Sequence, residues 1–401
     1  MRLDFLEKRR LGLYVHVPFC RSKCAYCDFN SFVPGSGELM SRYVSALIEH
    51  MKVYRDGTRD YSPDTVFIGG GTPTALPQEE LVRLIRGIRR RFDITKKAEF
   101  TVEANPATVT PKLLRSLRRL GVNRLSFGLQ SADNRELRAL SRIHTRQQFL
   151  ESYRMAREAK FDNINIDLMY GIPYQTYDSL MKTLAFVTRL GPEHISLYNL
   201  KIEPGTPFFE NQREVRAVSA DEDTEYAMYT SAIEFLASRG YIQYEISNFA
   251  RPGFRCMHNL KYWNCEEYLG FGVSAHSYFN GNRFAFIPDI MQYMESIENI
   301  DSNIPITTEN EHLETRERMG EYIMLRLRLA DGIDPREFAV RFGVSFENIY
   351  GGRLTKYMKS GFVKRTDSGA YALTPAGMLV SNYILSDILE FEDLGSYMGN
   401  F

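Results

Sequence analysis

Three cysteines, Cys20, Cys24 and Cys27, fall close together just after a short apolar run, Leu13 to Val17. Thiolates so spaced can hold three corners of one iron-sulfur cube and leave the fourth iron open to a small ligand. Structural zinc almost always takes four protein ligands. No fourth Cys or His lies at a usual spacing here, so a cluster outweighs both zinc and a group of buried thiols. The total of five cysteines is odd, which argues against a secreted disulfide framework and for a reducing compartment. An open-cornered cluster implies a ligand that takes part in redox chemistry.

Other polar residues recur at the ends of apolar runs. Thr65 to Ile68 leads into Gly69-Gly70-Gly71-Thr72-Pro73, where glycines let a backbone approach a ligand that a Cβ would push away, although a glycine run alone can be a tight turn. Glu103 closes Val102-Glu103-Ala104-Asn105-Pro106, Gln130 follows Ser126-Phe127-Gly128-Leu129, Asp167 lies in Asn165-Ile166-Asp167-Leu168, and Lys201 follows Tyr198-Asn199-Leu200. Each alone is an ordinary strand-end polar group. Together with the cysteines and glycines, six successive strand ends carry candidate ligands, and that pattern is the signal. A separate segment, Cys256-Met257-His258-Asn259-Leu260-Lys261-Tyr262-Trp263, holds the only tryptophan. An imidazole and flat rings suit heme. From the residues alone, a structural corner with Trp263 in the core and His258 bonded to backbone is the stronger reading. Cys256 and Cys265 flank the segment as further thiols, more often buried than ligating.

These residues need positioning elements. Candidate strands at Leu13 to Val17, Thr65 to Ile68, Glu99 to Glu103, Asn123 to Gly128, Asn163 to Leu168 and His194 to Tyr198 alternate with helical patterns at Leu39 to Tyr54, Glu79 to Phe92, Pro111 to Leu120, Gln147 to Lys160, Tyr177 to Leu190 and Asp221 to Arg239. Thr110 and Thr176 suit helix starts, and Gly121, Gly191 and Gly240 suit stops. The expected fold is α/β: an open (β/α)6 partial TIM barrel over residues 1–245, with chemistry at the C-terminal ends of its strands. From Glu245 to Tyr278 the period breaks, and the polar stretch Asp289 to Glu311 reads as a connection, giving an extension over 246–311. Helices followed by two short strands, Gly361 to Arg365 and Ala370 to Thr374, joined by Asp367-Ser368-Gly369, make a winged-helix-like domain over 312–401.

Lys plus Arg and Asp plus Glu both total 50, so no overall basic field exists to hold nucleic acid or anionic lipid. Arg353, Lys356 and Lys359 form a stripe on one expected helix, but Glu337 and Glu347 lie nearby and the stripe reads as a solvated face. No nucleic acid is expected. The first ten residues mix charges with apolar groups and show no small-residue cleavage site, and no uncharged stretch approaches the ~20 apolar residues of a spanning helix. The expected location is cytoplasmic.

The cysteine triplet with Tyr26 just before its last member resembles the radical S-adenosylmethionine superfamily, and the glycine run agrees. More closely, the chain is similar to the oxygen-independent coproporphyrinogen III oxidase family from about Leu13 through the winged-helix region. The resemblance implies a 4Fe-4S cluster on Cys20, Cys24 and Cys27. It puts Tyr14, Gly70 and Glu103 on one S-adenosylmethionine, and Tyr26, Gly71, Thr72, Gln130, Arg142 and Asp167 around the same ligand and a second one. The implied chemistry is electron transfer to the sulfonium, with carbon-sulfur cleavage to methionine and a deoxyadenosyl radical. It also implies that the C-terminal unit covers the barrel mouth. Two positions depart from the family's oxidases: Phe29 stands where they carry another Cys, and Lys201 replaces an alanine and would crowd the second S-adenosylmethionine. The H-N-x-x-Y-W string at His258 resembles the mark of the family's heme chaperone branch. That branch implies heme as cargo with His258 in contact, heme-accepting proteins such as membrane-bound respiratory enzymes as partners, an electron donor for the cluster, and room for a homodimer. The alternative is the oxidase itself, which removes two propionate carboxylates from coproporphyrinogen III, and Phe29 stands against it.

Overall fold

Alternation along the early strands decides the architecture. In β1 (Arg9–Val17), Leu11, Leu13, Val15 and Val17 are fully buried on one side, and Gly12, Tyr14 and His16 take the other. The same period runs through β2 (Tyr61–Gly70), β3 (Glu99–Ala104), β4 (Arg124–Gln130), β5 (Ile164–Tyr170) and β6 (His194–Asn199). All six are parallel neighbours in chain order. Their apolar sides, including Val66, Ile68, Val102, Leu125, Phe127, Ile164 and Ile166, share one core with the buried faces of the surrounding helices. Those helices are α1 (Gly37–Val53), α2 (Gln78–Arg91), α3 (Pro111–Arg119), α4 (Asn134–Ala139), α5 (Arg146–Glu158) and α6 (Tyr177–Leu190). Thr110 and Thr176 cap α3 and α6 through their hydroxyls, and Gly191 ends α6 at φ +68°. The computed structural model describes residues 8–299 and 306–389. Most of the N-terminal stretch discussed above, part of the 289–311 connection and the last twelve positions of the C-terminal domain lie outside the described residues.

After β6 come the short helices α7 (Pro207–Glu210) and α8 (Gln212–Ala217), then α9 (Glu222–Ser238). The aperiodic region turns out to be structured. β7 (Ile242–Gln243) and β8 (Asn248–Ala250) add to the β6 edge, and α10 (Met257–Trp263) follows. β9 (Tyr268–Phe271) then pairs in parallel with β1, and β10 (His276–Phe279), β11 (Asn282–Phe286) and β12 (Thr307–His312) extend that edge antiparallel. The sheet is therefore twelve strands in the order β12-β11-β10-β9-β1-β2-β3-β4-β5-β6-β8-β7 and does not close. The segment expected as a mere connection holds α11 (Ile290–Glu298), started by the Asp289 side chain and burying Tyr293, Met294 and Ile297 against the barrel core.

The C-terminal unit has its own core around Tyr322, Phe338, Phe346, Tyr350 and Leu354. Its elements are α12 (Thr315–Arg326), α13 (Pro335–Phe342), a π-helical turn at Glu347–Gly351, α14 (Gly352–Lys359), the hairpin β13 (Val363–Arg365) and β14 (Tyr371–Leu373), α15 (Pro375–Leu379) and α16 (Ser381–Ile388). It is joined to the barrel by a backbone bond from Ala330 N–H to the Tyr244 carbonyl at 2.9 Å. The Arg341 guanidinium adds bonds to the Asn264 and Cys265 carbonyls. Two cations of the expected stripe are engaged within the fold: Lys356 pairs with Asp387 at 2.8 Å, and Arg353 donates to the Ile388 carbonyl at 2.9 Å. No helix among the described residues is long and apolar enough to cross a membrane.

Candidate functional site

The cysteine loop is pinned at its base. Cys20 N–H donates to the Phe32 carbonyl at 2.9 Å and Phe32 N–H to the Pro18 carbonyl at 2.8 Å. The buried Phe19 ring packs edge-on against Phe32 and Tyr43. Held so, Cys20, Cys24 and Cys27 are free, half-buried thiols lining one cavity of about 290 Å3. Burial raises the thiols of Cys20 and Cys27 above their ordinary value. The opposing charge is at hand: Arg142, fixed by bonds of 2.6 Å to Asn105 Oδ1 and the Gly128 carbonyl, directs Nη1 to Cys24 Sγ at 3.5 Å. Among the described residues, no three His, Cys, Asp or Glu groups gather tightly enough for a single metal ion. A mononuclear zinc would need its thiolates drawn to one point, and the corners of a cube would not.

The same cavity is lined by Tyr26, Gly70, Gly71, Thr72, Glu103, Gln130 and Asp167. The glycines answer to packing. Gly70 has φ +105°, and a Cβ there would lie 2.4 Å from the His16 ring; one on Gly71 would lie 2.8 Å from the Phe19 carbonyl oxygen. Their N–H groups are already used, Gly70 donating to Glu103 Oε2 at 3.1 Å and Gly71 to the Val17 carbonyl at 2.9 Å. Both glycines thus line the cavity and also meet a packing demand of their own. Thr72 lies near Cys20 Sγ at 3.7 Å and accepts from Asn105 Nδ2 at 2.6 Å. Burial, with the charge of Asp167 added, pushes the Glu103 carboxyl up to about 8, and Asp167 is raised by burial as well. Tyr14 instead lines a neighbouring opening, where its hydroxyl bonds His16 Nδ1 at 3.0 Å. Lys201 lines a second, larger cleft beside the cavity, and Phe29, 61% exposed, stands at the mouth.

Residues not singled out from sequence complete the site. Asn105 links Arg142 to Thr72, and Ser126, Met169 and Tyr198 line the cavity. The available signal was register: Ser126 and Asn165 are cross-strand partners, Glu103 sits beside Ser126, and Gly128, Asp167 and Ser196 form the next row. Beneath the mouth these polar side chains form a column. Asn165 Nδ2 donates to Asp167 Oδ1 at 2.7 Å, Asn165 Oδ1 bonds His194 Nδ1 at 2.6 Å, and His194 Nε2 bonds the Tyr244 hydroxyl at 2.8 Å. Cys256 N–H in turn donates to that hydroxyl at 3.3 Å, so the column ends at α10.

α10 has no capping side chain of its own. Glu99 supplies one from β3, accepting from Met257 N–H at 3.1 Å and His258 N–H at 3.0 Å. His258 is 1% exposed. Its Nδ1 bonds Thr65 Oγ1 at 2.9 Å and its Nε2 the Tyr262 hydroxyl at 2.8 Å, while the ring stacks on Phe67. Burial lowers the imidazole to about 3. The imidazole implied in contact with heme is buried, with both nitrogens occupied inside the barrel wall, as the structural-corner reading has it. Cys256 is fully buried beside Glu99, its thiol pushed up to about 12. The aromatic pair divides between two openings, Tyr262 lining the one beside Tyr14 and Trp263 the second cleft.

Residues 14–187 match the family model of the radical SAM superfamily, and residues 313–380 match that of the HemN C-terminal domain. The heme chaperone HemW of Bacillus subtilis (strain 168) is 35% identical over 379 residues, covering 94% of this chain and 98% of that one. The heme chaperone HemW of Escherichia coli (strain K12) is 31% identical over 391 residues, covering 94% and 97%. Among solved structures, the coproporphyrinogen III oxidase (HemN) from Escherichia coli, described as a radical SAM enzyme, matches with a TM-score of 0.84 at 25% identity. That match covers 97% of this chain and 92% of the oxidase.

Proposed function

Because the chain belongs to the HemW heme chaperone family within the radical SAM superfamily, we propose that it binds heme and delivers it to acceptor proteins in the cytoplasm or at respiratory enzymes. Superfamily membership implies a 4Fe-4S cluster and S-adenosylmethionine. The carrying observation is the convergence of three free thiols with Arg142, Glu103 and Asp167 in one cavity. When bound, the cluster would supply an electron for reductive cleavage of a carbon-sulfur bond in S-adenosylmethionine, its own electron coming from a separate donor.

The residues fit that assignment. Cys20, Cys24 and Cys27 would ligate three irons, and Arg142, buried beside Cys24, offsets part of the negative charge that bound thiolates carry. Glu103 accepts one backbone bond and is otherwise a buried carboxyl raised to about 8, so a cationic amine is the partner that would let it ionise at neutral pH. The amino group of S-adenosylmethionine has that chemistry. Asp167, held by Ser126 at 3.0 Å and Asn165, is placed to accept from a hydroxyl on the same ligand.

Anaerobic reconstitution followed by iron and sulfide analysis tests the cluster; uptake of zinc with no sulfide would overturn it. Heme titration of the reconstituted protein tests the cargo, and a protein that takes up no heme would overturn the chaperone reading. Incubation with coproporphyrinogen III, reductant and S-adenosylmethionine is expected to give no vinyl product, since Phe29 stands where oxidases of the family carry a cysteine.

A further inference from the structure

The cysteine cavity shares a wall with a depression on its other side. Ser22, Cys24, Thr72, Asn105 and Arg142 line both, and the depression, about 170 Å3, lies between the cysteine loop, the turn after β3 and the turn after α4. It is smaller than the ~300–1,000 Å3 of small-molecule sites, so it suits a protruding side chain and not a ligand of its own. We infer that this face is where an acidic one-electron carrier protein docks to reduce the cluster by way of Cys24; the inference rests on the reading of the three cysteines as cluster ligands.

Three observations carry it. The first is charge. The segments that bound the depression, 20–24, 105–108 and 141–148, hold Arg21, Lys23, Arg142 and Arg146 and no carboxylate. Arg142 is turned inward to Cys24. The other three are exposed and have no carboxylate partner among the described residues: Arg21 donates to the Ala107 carbonyl at 3.2 Å, Lys23 to the Phe29 carbonyl at 3.5 Å, and the Arg146 guanidinium lies over the Phe186 ring at 5.7 Å. Of the neighbouring acids, Asp133 caps α4, Glu151 accepts from Gln147 Nε2 at 3.0 Å, and Asp28 lines the openings on the far side of the cysteine loop.

The second is an apolar contact inside that charged rim. Ile143 lines the depression at 65% exposure, and Ala107 and Ser141 beside it hold φ of +63° and +57°, a backbone region that L side chains rarely adopt. A small contact steered by charge is the pattern of transient electron-transfer encounters. The third is the route. The second cleft carries Asp28, Glu203, Glu222 and Glu225 and no cysteine, and the opening beside Tyr14 carries Asp28 and no Lys, Arg or Cys. The cysteine cavity itself is where S-adenosylmethionine would lie, so an electron arriving through Cys24 from the side leaves that ligand in place. The step moves one electron: the carrier is oxidised by one, the cluster is reduced by one, and no bond or proton is exchanged.

The test is anaerobic stopped-flow reduction of the full-length reconstituted protein, followed by bleaching of the cluster absorbance. One reductant is a pre-reduced plant-type ferredoxin, an acidic protein carrier of low potential. The other is the methyl viologen radical, a small cation that needs no docking face. Arg21→Glu, Arg146→Glu and the two together are compared with the parent, with iron, sulfide and melting temperature reporting cluster and fold. With ferredoxin, the parent's second-order rate is expected to fall at least tenfold from low to high salt. Each single variant should be severalfold slower at low salt and the double variant at least tenfold, while none is slowed with the viologen. Arg146 lies far from the cysteines in sequence, so its variant keeps the test sound if Arg21→Glu disturbs the cluster. If ferredoxin does not reduce the parent, if the variants match the parent with ferredoxin, or if they are slowed equally with the viologen, the docking face is wrong while the cluster reading stands. If the parent takes up no iron and sulfide, the cluster reading itself fails and the docking face falls with it.

Discussion

Replacing His258 by Ala is expected to cost the fold about 3–5 kcal/mol, and to do so without heme being present. The ring is 1% exposed and both nitrogens are bonded, to Thr65 Oγ1 at 2.9 Å and to the Tyr262 hydroxyl at 2.8 Å. Truncation strands two hydroxyls, each about 1–3 kcal/mol where water cannot reach. It also leaves a void beside Phe67 and Tyr14, for which large-to-small changes cost roughly 2–5 kcal/mol. The two costs overlap because a void large enough for water resolves part of the stranded bonding. Trp263, the only tryptophan, lies one turn beyond on α10, so its fluorescence follows urea unfolding at this spot.

The pH dependence separates a buried strut from a solvent-facing ligand. The folded imidazole sits at about 3, below the ordinary 6.5, so the unfolded chain takes up a proton that the folded one refuses. Stability from this group is full above 6.5 and is lost as pH falls toward 3. At pH 5.5, one unit below the ordinary value, the parent gives up about 1.4 kcal/mol that the variant does not have to lose. The gap between parent and His258→Ala should therefore narrow by about that much between pH 7.5 and 5.5. A loss under about 1 kcal/mol at pH 7.5, coupled with abolished heme binding, would refute the reasoning and make the imidazole a ligand after all.

Cys20→Ala, Cys24→Ala and Cys27→Ala should each fail to take up sulfide on anaerobic reconstitution, and a variant retaining the parent's iron and sulfide would remove that cysteine from the ligand set. Gly70→Ala combines a φ of +105° with a Cβ 2.4 Å from the His16 ring, so it should unfold or lose at least about 3 kcal/mol in urea, against well under that for an ordinary glycine change. Glu103, with its carboxyl raised from 4.5 to about 8, binds a proton in the folded state that the unfolded chain releases, so apoprotein stability should fall as pH rises across that window. Glu103→Gln should flatten that slope, and an unchanged slope in urea midpoints from pH 5 to 9 would show that Glu103 is ionised in the folded protein.

Much of this was legible. The six parallel strands and their helices lie within a few residues of where alternation and helical period put them, because long periodic segments buried on one face advertise themselves. The strand-end residues Glu103, Gln130 and Asp167 meet the cysteines because parallel strands all deliver their C-terminal ends to one face. The β9–β12 extension was not legible: β9 is four residues long and owes its existence to pairing with β1, a partner more than two hundred positions away. α11 did carry a sign, with Ile290, Tyr293, Met294 and Ile297 at helical spacing, but polar neighbours masked it. Nor could sequence show that Gly70 and Gly71 are demanded by the His16 ring and the Phe19 carbonyl, since close approach is a property of two segments at once.

The segment from His258 to Trp263 shows why a short signature does not define a ligand set. Residues four apart on a helix share a face, and His258 and Tyr262 do, bonding one another against Thr65 of β2. Trp263 is one residue further, turned by about 100°. That turn takes it from the barrel wall to the cleft under the C-terminal unit. Lys261 meets Asp64 at 2.8 Å and Glu266 at 3.0 Å, nearly buried, and ties the same helix to β2 and to the loop before β9. Glu99 holds the start of the helix, and the polar column from Asp167 through His194 and Tyr244 reaches it at Cys256. The signature thus fixes α10 against the strands that carry the cluster site, with Tyr262 lining the opening beside Tyr14 and Trp263 lining the cleft. A helix anchored at so many points holds Trp263 in place beside the cleft.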